Sequence, residues 1–280
     1  MLIPFGELLA TRGAGTAVGA FTCYDLEAAG AVLGAAATAG AGVILLIGAR
    51  SHALRDGGLL LAGLLAAAER AEARACVQLD HCADLAVIES VLSAGAGAVM
   101  ADGSALAYED NVAFVRRAVE AARRHDAAVE AELGGIMGDE DVDEAAAAGA
   151  LTDPEQAVDL VARTGADCLA VSIGNVHGAY REPPRLDWER LSAIAAGVSA
   201  PLALHGASGL PEPTVRRSIE LGVAKVNVNT ELRRAYLEAT ERRLPDVLAG
   251  ARLDALHRAQ AEAVGAVVET RLAAFGGRSE

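Results

Sequence analysis

Three histidines, His81, His177 and His205, each close a short apolar run: Val77-Gln78-Leu79-Asp80-His81, Ala170 through His177, and Pro201-Leu202-Ala203-Leu204-His205. The chain holds six histidines, so half of them fall where a buried strand would stop. Neutral imidazole is a good zinc ligand, and three protein ligands with one open position form the catalytic type of zinc site. If those strand ends converge, the chain is a metal-dependent enzyme. One histidine alone is more often a packing residue; three in equivalent positions shift that balance. His52, His125 and His257 fall on predicted loop or helix segments without acidic or glycine-rich company and read as surface or packing residues.

Asp80 adjoins His81. Neighbouring side chains on a strand face opposite ways, but a turn at the strand end lets both face one mouth. Asp80 then either orients a histidine or serves as a general acid/base beside the metal; the second reading is preferred. Polar residues also follow other runs: Asp102-Gly103-Ser104, Glu130-Ala131-Glu132, Asn175-Val176-His177-Gly178, His205-Gly206-Ala207-Ser208-Gly209 and Asn227-Val228-Asn229-Thr230. The last two precede helices. Small residues let backbone N–H groups approach an anion, and a helix N-terminus adds a positive dipole end. The alternative there is an ordinary tight turn with an Asn/Thr helix cap.

The elements that position these residues alternate along the chain. Strands are predicted at 16–21, 42–47, 75–80, 98–101, 127–132, 168–173, 201–205 and 224–228. Helices are predicted at 25–39, 58–73, 85–93, 111–125, 154–163, 187–196, 213–221 and 231–244. Thr152-Asp153-Pro154 carries a helix-start signal, with proline just inside an Asp cap. Strands alternating with helices of this length imply βαβ units and a parallel sheet. Eight units suggest an α/β fold of the closed (β/α)8, or TIM-barrel, type, with a doubly wound open sheet as the alternative. In such a barrel, catalytic residues lie in the loops after the strands, where the polar residues above cluster. The loops after strands seven and eight often form its phosphate site. The chain reads as one domain over 1–280, with a helical C-terminal extension at about 251–275.

Composition narrows the class. The chain has 280 residues, 52% of them hydrophobic, and a net charge of −14. An acidic balance argues against nucleic-acid partners, whose phosphates demand a basic surface. No apolar run reaches the roughly 18 residues of a membrane span, and no signal-type segment opens the chain, so a cytoplasmic protein is expected. Cys23, Cys76, Cys82 and Cys168 form no CxxC pair and read as buried structural residues. Lys225 is the only lysine. A lysine on a late barrel strand is a candidate for imine chemistry, with a structural role or phosphate contact as the commoner fate. The glycine-rich, acidic stretch 132–144 suggests a lid over the mouth.

Taken together, these motifs resemble the class II, zinc-dependent ketose-bisphosphate aldolases. The densest parts are Leu79-Asp80-His81, Val99 through Ser104, Glu130 through Gly134, Leu151 through Pro154, Asn175 through Gly178, Leu204 through Gly209 and Lys225 through Thr230. The resemblance implies a (β/α)8 barrel in which His81, His177 and His205 hold Zn²⁺. It implies that Asp80 protonates the aldehyde oxygen in condensation and that Glu140, in the lid, is the base at carbon 1. Asp102 and Glu132 match positions that hold a second or displaced metal, or a monovalent cation. Gly178, Gly206, Ala207, Ser208, Asn227, Val228, Asn229 and Thr230 match positions that bind dihydroxyacetone phosphate. The implied reaction is reversible cleavage of a ketose (bis)phosphate to dihydroxyacetone phosphate and an aldehyde such as glyceraldehyde 3-phosphate, by a homo-oligomer, dimer or tetramer. A non-catalytic sugar-phosphate-binding barrel and a phosphorylated keto-sugar acid substrate are the alternatives. The chain departs from the usual pattern at Gln78, Phe21 through Asp25, Arg50-Ser51-His52 and Gly135-Ile136-Met137, where the aldehyde side would be shaped.

Overall fold

The computed structural model describes every residue except 55, 137, 139–144, 147–148, 181–183 and 277–280. Eight strands form the barrel: β1 (Val18–Thr22), β2 (Val43–Gly48), β3 (Ala75–Cys82), β4 (Ala98–Ala101), β5 (Ala128–Leu133), β6 (Cys168–Val171), β7 (Leu202–Leu204) and β8 (Val223–Val228). All pair in parallel, each with its neighbours in sequence, and β1 pairs with β8 to close the ring. The helices are α1 (Phe5–Ala10), α2 (Leu26–Ala39), α3 (Ala49–Ala53), α4 (Gly57–Arg70), α5 (Leu85–Ser93), α6 (Tyr108–Arg123), α7 (Pro154–Thr164), α8 (Trp188–Gly197), α9 (Glu212–Glu220), α10 (Thr230–Gly250) and α11 (Leu253–Ala274). The expected (β/α)8 barrel is therefore present, and the open doubly wound sheet is excluded. No helix among the described residues is long and apolar enough to cross a membrane.

Period-two alternation sorts each strand between two cores. One set, including Phe21, Val43, Leu45, Ile47, Val77, Leu79, Val129 and Val171, packs outward under the helices. The other, including Val18, Ala20, Ile44, Leu46, Cys76, Met100, Cys168 and Ala203, fills the barrel. Small residues recur in that inner set because eight converging strands leave little room. The N-terminal segment closes the bottom. Leu2 bridges to Ala75 at the start of β3, and α1 sends Phe5, Leu8 and Leu9, each 1% exposed, into the inner core. Their i, i+3, i+4 spacing was the sequence signal for this short helix, which fell outside the predicted elements.

Helix starts follow local chemistry. The Asp153 carboxylate accepts from the Glu155 and Gln156 amides at 2.9 Å, with Pro154 at the first helical position. At the chain's other end, Pro245 suggested a stop after 244, but α10 runs through it to Gly250. Proline removes one N–H, and its cost is local; α11 folding back on α10 holds the remaining turns.

Phe5→Ala opens the floor of the barrel and is expected to lower the unfolding free energy by about 3–5 kcal/mol. Urea denaturation with an unchanged m-value checks this; a loss below about 1 kcal/mol would mean that the floor collapses to fill the gap.

Candidate metal centre and active site

The end of β3 sets the site. His81 adopts φ +43°, a left-handed conformation that costs a residue with a Cβ roughly 1–2 kcal/mol. The β3–β4 register shifts between Leu79 and Cys82 at the same place. This irregularity breaks the strand's alternation, so Asp80 and His81 both line the mouth cavity. The turn inferred from the sequence for this pair is thus present, with a bulge as its cause. His177 follows β6 on a loop tied down by Asn175. That side chain accepts from the Ile173 amide and donates to the Val171 and His205 carbonyls. His205 ends β7.

The three imidazoles converge. Ring centroids lie 5.0 Å (His81–His177), 4.8 Å (His81–His205) and 6.0 Å (His177–His205) apart, all nearly perpendicular. One nitrogen from each falls within 4.8 Å of the others, and a second group joins His81, Asp102 and Glu132 on the same criterion. Two carboxylates settle the proton positions. His81 Nδ1 lies 2.8 Å from Asp102 Oδ2, and His205 Nε2 lies 2.7 Å from Glu130 Oε1. An ionised carboxylate only accepts hydrogen bonds, so both ring nitrogens donate. The opposite nitrogens, His81 Nε2 and His205 Nδ1, then present lone pairs to each other at 3.0 Å. Facing lone pairs at that distance call for a positive centre, and the donor set suits a cation that accepts imidazole nitrogen.

The carboxylates agree with that fit. Burial favours the neutral acid at Asp102, but the His81 ring and the Ser104 hydroxyl and amide outweigh it and hold the carboxyl below the usual carboxylate range. Burial is likewise opposed at Glu130, by the Lys225 charge and the His205 hydrogen bond, with a net downward shift. At Glu132 burial and the adjacent Asp102 push the carboxyl up to about 8; the His81 and His205 rings and the Ile136 amide oppose the upward shift but do not outweigh it. Its Oε2 is buried without a hydrogen-bond partner. A site with that orphaned oxygen is short of positive charge, which a metal supplies.

Beneath the histidines lies a polar network inside the barrel. Lys225 and Glu130, both fully buried, pair at 2.8 Å. Gln78 Nε2 donates to Glu130 Oε2 at 2.8 Å. Lys225 Nζ donates to Asn227 Oδ1 at 2.6 Å, and Asn227 Nδ2 donates to the Asp80 carboxylate at 3.3 Å and 3.4 Å and approaches His205 Nδ1 at 3.2 Å. Sequence reasoning gave Glu130 no individual role and left that of Lys225 open. The available signal was the Glu130/Glu132 spacing, which puts both carboxylates on the inner face of β5. Lys225 is fully buried, paired with Glu130, and outside the residues that line the mouth cavity. His125 is exposed, and His257 pairs with Glu27 at 3.3 Å. His52, on α3, joins neither metal-type group. The four cysteines are buried and unpaired.

The cavity at the mouth measures about 340 Å³. Asp80, His81, Asp102, Glu132, His177 and Asn229 line it among the expected residues. Gly178, Gly206, Ala207, Ser208 and Thr230 are not among its lining residues, and Val228 packs outward under the helices. Gly206, at φ +63°, lets the β7 turn press on the β6 loop: a Cβ there would meet the Val176 carbonyl oxygen at 2.0 Å. The Tyr180 hydroxyl donates to the Gly206 carbonyl at 2.9 Å. The Gly209 amide donates to Glu231 at 2.9 Å, and Arg271 from α11 holds that carboxylate. Asn227 turns its side chain to Asp80 and His205 rather than toward this corner. Of the stretch expected to form a lid, Glu132, Ile136 and Gly138 line the cavity; Glu140 lies outside the described residues.

Known proteins resemble this chain in sequence and fold. Residues 7–279 match the family model for fructose-bisphosphate aldolase class-II. Over 233 residues the chain is 43% identical to the D-tagatose-1,6-bisphosphate aldolase subunit GatY of Klebsiella oxytoca, covering 83% of this chain and 82% of that one. The crystal structure of the YdjI aldolase from Escherichia coli K12 superposes with a TM-score of 0.88 at 29% identity, over 100% of this chain and 99% of that one. A candidate fructose-1,6-bisphosphate aldolase from Coccidioides immitis gives 0.89 at 32%, over 98% and 96%. With the barrel and the histidine cluster, the match places this chain in the class II fructose-bisphosphate aldolase family, as an aldolase and carbon–carbon lyase.

Proposed function

We propose that the chain binds one Zn²⁺ through His81, His177 and His205 and reversibly cleaves a ketose (bis)phosphate to dihydroxyacetone phosphate and an aldehyde such as glyceraldehyde 3-phosphate. The observation that carries this reading is the convergence of three imidazoles, with His81, His177 and Asp80 lining one cavity and buried His205 meeting His81 at 3.0 Å. When bound, the ion supplies Lewis acidity to the ketone oxygen of the substrate.

The chain's own groups supply the rest. In cleavage, Asp80 accepts the proton of the substrate hydroxyl whose carbon becomes the aldehyde. The carbon–carbon bond breaks, and its electron pair stays with the dihydroxyacetone phosphate half. Glu140 is the proposed group that returns a proton to that carbon. In condensation the steps reverse, and Asp80 gives its proton to the aldehyde oxygen. Asn227 holds Asp80 by donating to it from β8. Gly178, Gly206 through Ser208 and Asn227 through Thr230 are proposed to hold the phosphate, with backbone amides and the N-terminus of α10. Asp102 and Glu132 are proposed as the place of a second or displaced cation. Homo-oligomeric assembly, as a dimer or tetramer in the cytoplasm, is proposed on the family likeness alone.

Exhaustive chelation is expected to abolish cleavage of fructose and tagatose bisphosphates, and added Zn²⁺ to restore it; full activity after chelation contradicts the reading. Asp80→Asn is expected to lower kcat by about 10²–10⁴-fold with metal content unchanged, read by steady-state kinetics alongside metal analysis. Glu130→Gln loses the anionic acceptor that fixes the His205 tautomer. It is expected to weaken zinc affinity by about 10–100-fold, measured by competition with a chromogenic chelator.

A further inference from the structure

The cavity has two sides of different chemistry. His81, Asp102, Glu132 and His177 make the metal side, while Thr22, Gly48, Ala49 and Arg50 make the side nearest β1 and β2. Three carboxyl groups line it, Asp80, Asp102 and Glu132, and Arg50 is the only arginine or lysine among its described lining residues. We propose that Arg50 selects the aldehyde partner by binding an anionic group, phosphate or carboxylate, at the end of that aldehyde away from the reacting carbon. The inference rests on the aldolase reading above and names the substrate chemistry of the same site.

Position supports the assignment. Gly48 of β2 lies beside Asp80 of β3 in the sheet register, so Arg50, two residues further on, stands at the rim on the Asp80 side. Asp80 marks where the aldehyde oxygen sits. The proposed corner for dihydroxyacetone phosphate follows β7 and β8, separated from β2 around the ring by β1. The remaining carbons of the aldehyde therefore run toward β1 and β2. A second observation points to a ligand there. Thr22 follows Val18 and Ala20 on the inward face of β1, and its hydroxyl is buried without a hydrogen-bond partner. That hydroxyl is placed for a substrate oxygen on the way to Arg50.

Charge supports it too. A phosphorylated or carboxylated aldehyde entering a cavity that holds the Asp80 and Asp102 carboxylates, in a chain of net charge −14, meets repulsion unless a cation faces its anionic end. A guanidinium answers it with two parallel N–H donors matched to phosphate or carboxylate oxygens. Arg50 is exposed at the rim, so an anion entering the mouth reaches its side chain.

The test uses zinc-loaded wild type and Arg50→Gln in condensation of dihydroxyacetone phosphate with glyceraldehyde 3-phosphate, succinic semialdehyde or neutral glyceraldehyde. An unchanged thermal midpoint shows that the variant is folded. The expected result is a rise in KM of about tenfold or more for an anionic aldehyde, with glyceraldehyde changed by less than about twofold. The larger loss, with the phosphate or with the carboxylate, identifies the anion. Equal losses on charged and neutral aldehydes, or none, overturn the proposal. If the wild type turns over none of the three, the substrate reading of the site fails, and inorganic phosphate titrated into both proteins by calorimetry decides for Arg50. One phosphate site fewer in Arg50→Gln supports an anion subsite, and equal stoichiometry and affinity overturn it.

Discussion

A buried carboxylate, Glu130, is the interaction on which the site depends. It lies inside the barrel, fully shielded from water, and accepts from Lys225, Gln78 and His205 together. Burying a carboxylate is costly unless it is paired and hydrogen-bonded. Lys225 meets the first requirement, and Gln78 and His205 the second. With Glu130 held ionised, the proton on His205 is fixed at Nε2, and Nδ1 is left to face His81 across the metal position. The chain's only lysine is thus spent inside the barrel, one layer below the chemistry, where the straight stem and single charged head of lysine reach Glu130 and Asn227 at once.

The second constraint is the irregular end of β3. A regular strand would turn Asp80 and His81 to opposite faces and separate the acid from the metal. The left-handed turn at His81 and the slipped β3–β4 register bring both to one cavity. Strain of this kind persists only where the surroundings over-determine it. Here Asp102, just after β4, grips the ring of His81, and Asn227 grips Asp80 from β8. The site is therefore braced from β3, from β8 and from the residue that follows β4.

Much of this was legible in the sequence, for physical reasons that differ by element. The eight barrel strands lie within a few residues of their expected bounds because each is a short apolar run between turns. The polar residues at their C-terminal ends announced one functional face. The histidines were found because three of six shared the same place relative to a run. Less legible were α1, whose i, i+3, i+4 spacing covers a single turn, α3, which has no buried face, and the continuation of α10 through Pro245, which tertiary packing decides. Glu130 and Lys225 were visible as residues, but their pairing was not. It joins β5 to β8 across the barrel, and no local pattern reports a contact between residues so far apart in sequence. The positions of Thr22 and Arg50 in the cavity likewise became visible only when β1 and β2 were set beside β3.

The central claim is that three imidazoles, one from each of the ends of β3, β6 and β7, hold a single zinc ion. X-ray absorption at the zinc edge on the purified protein, with metal analysis, tests it directly. The account predicts one zinc per chain with three nitrogen scatterers and imidazole outer-shell features, reduced to two imidazoles in His205→Ala. Zinc bound without imidazole, or an unchanged spectrum in that variant, would contradict it.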